Sequence, residues 1–432
     1  MHIVGIVAHD LDNGIGKNGS IPWKNKEDMK FFVKTTKSGE KPAILMGRKT
    51  FQSIGHHLED RINIVISSQN IVADYCNSDI RTAINWAINH DVSHLYVIGG
   101  AGIYYWFAKY ELYDKFYTSI INGVYQCDVF INDTLTKIKS HCNEQVEYAS
   151  VQLITYENDL IDEKRIKRLM TEIRLMPFMT NRTAVKTQSV FNKFLRFNLN
   201  NNVLPACTLR KQWLKGIFCE LMWFVRGETD IKILHRDNVH IWDANAVNGE
   251  VGPIYGHQWR HFGAPWKPNA PSIGGFDQLA FVINELKNNP TSRRIVLSGW
   301  FPPDIFNQAC LPPCHILYQW NVSNGNLYCM VTQRSSDVAL ALAWNIISGA
   351  MLTHLLAKIC DLNAVELVFS IGNAHLYENH IPAVEKLLSR DERRFPRIFI
   401  DEKKPIEEYI WSDINIVGYD PNKVLDVGGM VV

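Results

Sequence analysis

The stretch Leu311-Pro312-Pro313-Cys314-His315 holds the side chain best suited to covalent chemistry. Two prolines fix the backbone just ahead of a cysteine, and neither offers an N–H to hydrogen-bond. The alternating apolar run 316–322 predicts a strand, so Cys314 falls at a stiff corner where a strand begins, a mount suited to a nucleophile. A lone cysteine is more often a buried structural residue. Arg293-Arg294, Arg334 and His375 lie in the same half of the chain, and a cationic setting lowers a thiol's pKa and raises its thiolate fraction. Two acids also stand out. Asp28 follows Ile21-Pro22-Trp23 and opens a helical pattern with Met29, Phe32 and Val33, beside its apolar face. It reads either as a helix-start acid or as the one acid of an apolar pocket, accepting two parallel N–H bonds from a flat heterocycle. Glu220 sits within Phe218-Cys219-Glu220-Leu221-Met222-Trp223-Phe224, where an acid is costly unless hydrogen-bonded.

The elements that must position these residues divide the chain. Its 432 residues predict two or three domains, and 46% hydrophobic content supports packed cores over disorder. The first half alternates strand-like runs (3–8, 43–46, 62–67, 95–98) with helical patterns, which predicts an α/β fold with a mixed, mostly parallel sheet and flanking helices. Ligands bind such sheets beyond the carboxyl ends of the strands. Two strand–glycine–helix junctions have the punctuation for that: Met46 into Gly47-Arg48-Lys49-Thr50, and Ile98 into Gly99-Gly100-Ala101-Gly102. Free N–H groups at such junctions favour phosphate, although tight turns explain glycine pairs at least as often. Neither junction is a GxGxxG fingerprint or a P-loop.

Lys+Arg of 45 against Asp+Glu of 44 leaves +1, so no global field attracts nucleic acid or acidic membranes. Nine cysteines without a CxxC pair point to reduced thiols in the cytoplasm, and Cys310 and Cys314 lack a second pair at zinc spacing, so no metal is expected. The N-terminus lacks a basic region before its apolar run and reads as a core strand instead of a targeting signal. The apolar stretch 338–357 has the length of a membrane span, but Asn345, Ser348, Thr353 and His354 interrupt it, which predicts a buried core helix.

Pro313-Cys314-His315, Gln333-Arg334-Ser335-Ser336-Asp337 and His375-Leu376-Tyr377 closely resemble the thymidylate synthase family, over about residues 160–432. The resemblance implies an α+β domain, homodimeric, in which Cys314 attacks C6 of dUMP and 5,10-methylenetetrahydrofolate is co-substrate. Arg182, Arg334 and Ser335 would bind the nucleotide phosphate together with Arg293 and Arg294 supplied by the second subunit. His315, Gln333, Asp337 and Asn345 would serve dUMP, with His375 and Tyr377 on the ribose. The Asn345 amide matches O4 and N3–H of uracil; related enzymes acting on the cytosine nucleotide are expected to carry Asp there. Trp242, Asn245 and Asp337 would contact folate. Glu220 would organise proton transfers, and Tyr255 or a water would take the C5 proton.

In the first half, Val7-Ala8, Ile15-Gly16, Ile21-Pro22-Trp23, Asp28, Met46-Gly47-Arg48-Lys49-Thr50, Leu58, Arg61, Ser67-Ser68 and Ile98-Gly99-Gly100 through Tyr104 resemble the dihydrofolate reductase family. That implies Asp28 under the pteridine ring, supporting protonation of its N5. Val7, Ala8, Phe32, Thr50 and Leu58 would line the folate pocket, with Arg61 on the glutamate carboxylate of dihydrofolate. NADPH would lie on Ala8, Ile15, Gly47, Arg48, Lys49, Thr50, Ser67, Ser68, Ile98, Gly99, Gly100, Ala101, Gly102, Ile103 and Tyr104. The expected division is a reductase over 1–158 and a synthase over 159–432 with almost no linker, needing neither membrane nor nucleic acid. Departures from the family patterns are Val129 after Asp128, a short 132–148 segment, Ala184 and Lys186 where glycines are usual, Ala341, Ala343 and Trp344 where Gly, Pro and Phe are common, and Asn373 in place of Asp. The tail 418–432 resembles the closing tail of the synthases, so removing Val432 is expected to slow methyl transfer with little loss of dUMP binding.

Overall fold

The computed structural model describes residues 1–138, 142–147, 151–157 and 163–429. The chain forms two compact units, Met1–Leu160 and Ile161–Val432. Residues 158–162, where the expected boundary falls, lie outside the described residues, as does Val432.

The first unit runs β1 (His2–His9), β2 (Gly14–Gly16), α1 (Lys26–Thr36), β3 (Pro42–Gly47), α2 (Arg48–Ile54), β4 (Ile62–Ile66), β5 (Tyr75–Asn77), α3 (Ile80–Asn89), β6 (His94–Gly99), α4 (Ala101–Lys109), β7 (Lys115–Ile121), β8 (Val129–Phe130), α5 (Asn132–Ile138), β9 (Cys142–Glu147) and β10 (Val151–Glu157). Eight strands form one sheet in the order β5-β4-β3-β6-β1-β7-β10-β9. Pairs from β5 to β7 are parallel, and β10 runs antiparallel to both β7 and β9. Ala43, Ile44, Leu45 and Met46 on β3 are fully buried, as expected of an interior parallel strand covered on both faces. The 132–148 segment, which shows no clear pattern in sequence, supplies α5 and β9, and β9 completes a closing hairpin with β10. Val129 is exposed on β8, which pairs with β2.

The second unit runs α6 (Lys164–Arg174), β11 (Thr187–Asn198), α7 (Leu214–Val225), α8 (Ile231–His235), α9 (Gly256–His261), α10 (Gln278–Asn288), β12 (Val296–Ser298), α11 (Pro302–Ile305), β13 (His315–Ser323), β14 (Asn326–Asp337), α12 (Leu342–Ile359), β15 (Asn363–Tyr377), α13 (Ile381–Leu388), β16 (Arg397–Ile400) and β17 (Ile414–Val417). The main sheet has the order β11-β15-β14-β13-β12, with only β14 and β15 parallel. Helix α12 packs on β14, β15 and α7. It is long and apolar enough to cross a membrane but is almost wholly buried within the unit, and Thr353 satisfies its hydroxyl on the Gly349 carbonyl at 2.8 Å.

A buried acid ties the start of this unit to the loop that carries α12. Glu163, capping α6, accepts from the backbone N–H groups of Thr208 (2.7 Å) and Leu209 (3.1 Å), from Cys207 Sγ (2.7 Å) and from the Thr208 hydroxyl. Two residues on, Arg210 donates from Nη2 to the carbonyls of Ala339 (3.1 Å) and Leu340 (2.9 Å), just ahead of α12. A buried donor that loses its acceptor costs about 1–3 kcal/mol. Glu163→Ala, which strands several donors, is therefore expected to lower the stability of the second unit by more than ~2 kcal/mol. Denaturant unfolding followed by tryptophan fluorescence measures this; a change within ~0.5 kcal/mol, the range of ordinary surface substitutions, would remove Glu163 as an anchor.

Candidate active sites

Strand register assembles the second unit's site. His315 pairs with Gln333 across β13 and β14. Along the parallel β14–β15 pair, Ser335 lies beside Asn373 and Asp337 beside His375, while β11 sets Thr187 beside Tyr377 and Ser189 beside His375. Three motifs separated in sequence thus lie on neighbouring strands.

Cys314 sits at the corner before β13. Arg334 clamps that corner: Nε donates to the Pro313 carbonyl at 2.8 Å and Nη2 to the Pro312 carbonyl at 2.7 Å, with Nη2 4.0 Å from Cys314 Sγ. The Arg334 backbone N–H donates to the Cys314 carbonyl at 2.8 Å. The prolines lack donors, but their carbonyls fix the guanidinium beside the sulfur. The cationic setting is present, yet the expected net lowering of the thiol's pKa is not: burial pushes it up, and Arg334 and Arg182 pull it part of the way back. The Cys314 N–H donates to the Tyr255 hydroxyl at 2.8 Å. Tyr255 has φ +29°, in the left-handed region unusual for a bulky residue, and its ring stacks on His315 at 4.3 Å. Burial raises the Tyr255 hydroxyl pKa well above its ordinary range, and the Cys314 and Glu220 charges add to this. His315 is held uncharged by burial, which takes its pKa down to about 3; Nδ1 lies 3.2 Å from the Tyr318 hydroxyl.

Glu220 occupies the buried middle of α7 with both oxygens bonded. Trp242 Nε1 donates to Oε1 at 2.8 Å and Trp344 Nε1 to Oε2 at 2.5 Å. Burial pushes its carboxyl up to about 7, while the two indoles act against that rise. Gln333 is fully buried with neither side-chain amide atom hydrogen-bonded, an open demand for a polar partner. Asn345 is half-buried in the first turn of α12, and Asn245 donates its N–H to the Trp242 carbonyl at 2.9 Å. His375 Nδ1 meets Asn373 Oδ1 at 3.0 Å, so the Asn373 amide oxygen accepts from the ring. The His375 and Tyr377 rings meet edge to face at 5.1 Å. Asp337 accepts from Ala339 N (3.0 Å) and Leu340 N (3.1 Å), and its Oδ2 lies 3.2 Å from buried His380 Nδ1. Exposed His235, His240 and Asp243 form a separate group, with both imidazoles hydrogen-bonded to the Asp243 carboxylate.

In the first unit, β4, β3 and β6 are parallel neighbours, so their carboxyl ends lie side by side. Gly47 caps α2 after β3, and Gly100, with φ +83°, caps α4 after β6. A Cβ on Gly99 would lie 2.6 Å from Thr50 Cγ2, so only glycine lets α2 approach the end of β6 this closely. Ser67, just past β4, accepts from Gln69 N at 2.9 Å. Arg48 reaches Gln52 Oε1 at 3.0 Å, leaving a positive group beside the paired helix starts.

Asn25 caps α1, accepting from Glu27 N (3.0 Å) and Asp28 N (3.1 Å). This turns Asp28 inward, where burial raises its carboxyl pKa and the Ser119 hydroxyl bond opposes that rise. Phe32 and Leu58 pack against the neighbouring core, which includes Ile98. Tyr104 donates to the Ile6 carbonyl at 2.7 Å and feels the Asp28 charge. Arg61 is held by the Thr36 hydroxyl (2.7 Å) and the Glu59 carbonyl (3.0 Å) at the far end of α1.

A family model for dihydrofolate reductase matches residues 2–158, and one for thymidylate synthase matches residues 168–431. The bifunctional dihydrofolate reductase-thymidylate synthase of Paramecium tetraurelia is 35% identical, over 98% of this chain and 97% of that protein. The protein of the same description from Zea mays is 32% identical over 98% and 95%, and that from Leishmania major 31% over 97% and 93%. The chain belongs to the bifunctional dihydrofolate reductase–thymidylate synthase family. It combines both activities in one polypeptide.

Within the synthase unit, Arg182 and Arg334 are the charges that act on Cys314, whereas Arg293 and Arg294 are exposed at the entry to β12. Three contributors escape a sequence reading. Trp344 bonds Glu220 across 124 positions, and Arg210 holds the loop before α12. In the reductase unit, Asp10 accepts from the N–H groups of Gly14 (2.8 Å), Asp12 (3.0 Å) and Tyr125 (3.0 Å), which secures the turn leading to Ile15. Thr50, expected at this site from the sequence, closes on Gly99. Only Asp10 carries a local signal, an acid at the end of an apolar strand.

Removing the Arg334 charge is expected to raise the Cys314 pKa and slow its alkylation by iodoacetamide roughly tenfold at pH 8, the effect of a one-unit rise. Arg334→Ala and Arg334→Lys, compared by the pH dependence of alkylation, check this, with Lys recovering part of the rate. Equal rates in all three proteins would contradict the clamp.

Proposed function

We propose that Cys314 adds to C6 of dUMP, that the synthase unit converts dUMP to dTMP, and that the reductase unit reduces dihydrofolate with NADPH. One observation carries the synthase reading: a thiol lies beside a fixed guanidinium, and the backbone N–H of the same cysteine bonds Tyr255, whose hydroxyl feels the charge of the buried acid Glu220. Nucleophilic attack at C6 makes C5 nucleophilic, and methylenetetrahydrofolate supplies the one-carbon unit and the hydride that complete the methyl group. Tyr255 keeps its own proton at neutral pH because burial raises its pKa, so it relays through a neutral hydroxyl and does not serve as a phenolate base. The C5 proton leaves by way of water ordered at Glu220, whose pKa near 7 suits it to both taking and returning a proton. The unbonded Gln333 amide supports a polar heterocycle there, and the donor-and-acceptor amide of Asn345 favours uracil. His375 and Tyr377 serve the ribose, and Trp242, Asn245 and Asp337 the folate side.

In the reductase unit, NADPH supplies hydride. The paired glycine-capped helix starts and Arg48 fit its phosphates. Asp28 holds the pteridine edge and favours its protonation; Phe32 and Leu58 keep water away. Because Asp28's pKa is raised, its protonated form persists to higher pH than an ordinary carboxyl, and hydride transfer is expected to fall as pH rises through that value.

A homodimer through the synthase sheet completes the reading, with Arg293 and Arg294 supplied across the interface. Support comes from Phe191 and Phe194 on β11, 78% and 59% exposed, and from the half-exposed sheet residues Leu317, Tyr328 and Met330. Unpaired apolar surface of this kind marks interaction sites.

Cys314→Ser is expected to abolish dTMP formation while leaving NADPH oxidation with added dihydrofolate intact, and Asp28→Asn to cut the second by ~100-fold or more with the first unchanged. Mixing inactive Arg294→Ala and Cys314→Ser chains should restore partial dTMP formation. Loss of both activities in either single variant, or no restoration on mixing stably dimeric chains, would overturn the corresponding assignment.

A further inference from the structure

The acid of the synthase site is held by a side chain far from it in sequence. Trp344 lies 124 positions along the chain, and its Nε1–H reaches Glu220 Oε2 at 2.5 Å. Phe at this place offers no donor; Trp offers one donor and no acceptor. With Trp242 on Oε1 at 2.8 Å, each oxygen of the acid receives one indole bond. Neither indole can accept a proton from Glu220, so both bonds favour the carboxylate over the carboxylic acid, and both fix its plane. The surroundings leave few rivals for this role. The titratable groups that face Glu220 are Tyr255 at the start of α9 and Tyr318 on β13, both kept neutral by burial. His315 beyond them is uncharged, and the Cys314 thiol titrates on the alkaline side. Trp344 also precedes Asn345 in the first turn of α12. The same turn therefore carries the group holding the acid and the amide that would read the base.

We propose that Trp344 is a positioning residue for the synthase reaction: its indole N–H clamps Oε2 of Glu220, fixes the plane of the carboxylate and favours its ionised form. The proposal rests on Glu220 being the acid of that reaction. Without this donor, water or nothing would meet Oε2, and the ionised form would lose a charge-assisted bond. The sign follows directly. Losing a donor to the carboxylate raises the carboxyl pKa, so the Glu220-dependent limb of the pH profile moves to higher pH, whichever protonation state the step uses.

The test uses the full-length chain. Trp344→Phe is expected to move that limb of kcat for dTMP formation upward by about one pH unit, a tenfold change in protonation ratio. The KM for dUMP should stay within about twofold of the parent's, the range of experimental scatter on this scale. NADPH oxidation with added dihydrofolate should be unaltered. In a Glu220→Gln background the same substitution should cause no further shift. A uniform loss of kcat at every pH, or a limb that stays in place, would overturn the proposal. Full synthase activity in Glu220→Gln alone would instead overturn the reading of Glu220. Should Trp344→Phe fail to fold, the parent chain still decides the matter. Among its twelve tryptophan indole N–H signals, observed with 15N-indole label, two should titrate together between pH 5 and 8 and become flat in Glu220→Gln. If fewer than two indoles respond to Glu220, the clamp is refuted.

Discussion

The synthase site depends on one guanidinium held by two residues that can donate nothing. Arg334 takes the carbonyls of Pro312 and Pro313, and its backbone N–H takes the carbonyl of Cys314. The corner before β13 is stiff because of the prolines and becomes electropositive because of what their carbonyls hold. Everything nearby answers to it. The sulfur sits under the charge, the Cys314 N–H fixes Tyr255, and Tyr255 in turn feels the charge of Glu220. Burial works against the thiolate here, so the arginines limit a penalty and do not create an exceptionally acidic thiol. The substrate phosphate that this account assigns to the same arginines would itself change the balance on binding.

The reductase unit solves a related problem by different means. Its acid is half-buried, and among the described residues no cation lowers its pKa; burial raises Asp28 and the Ser119 hydroxyl bond opposes that rise. In both units burial raises the carboxyl and hydrogen-bond donors act against that rise, a hydroxyl at Asp28 and two indoles at Glu220. The metabolic connection is chemical: in the proposed reactions, dihydrofolate left by the synthase is the substrate of the reductase.

Much of this was legible in the sequence because it is local. The corner at Cys314, the strand–glycine–helix junctions, and the inward acid after Trp23 depend on neighbours within a few residues. The buried character of α12 could be read from its interrupting polar residues. What escaped was long-range. Trp344 looked like a mere departure in size, and nothing near it in the chain says that its N–H meets Glu220. Glu163 and Arg210 carry no local signal, yet through 207–210 they fix the loop that carries α12. The sign of the Cys314 shift was misjudged for a similar reason: cations are visible in a sequence, whereas the depth of burial opposing them is not.

The central claim is that a Cys314 adduct feeds a reductase on the same chain. The most direct measurement is tritium release from 5-tritiated dUMP with methylenetetrahydrofolate, followed in the same tube by NADPH addition and absorbance at the nicotinamide band. The account predicts release by the parent chain, none by Cys314→Ser, and NADPH oxidised in a one-to-one ratio with the tritium released. Release that survives Cys314→Ser, or release without subsequent NADPH oxidation, would contradict it.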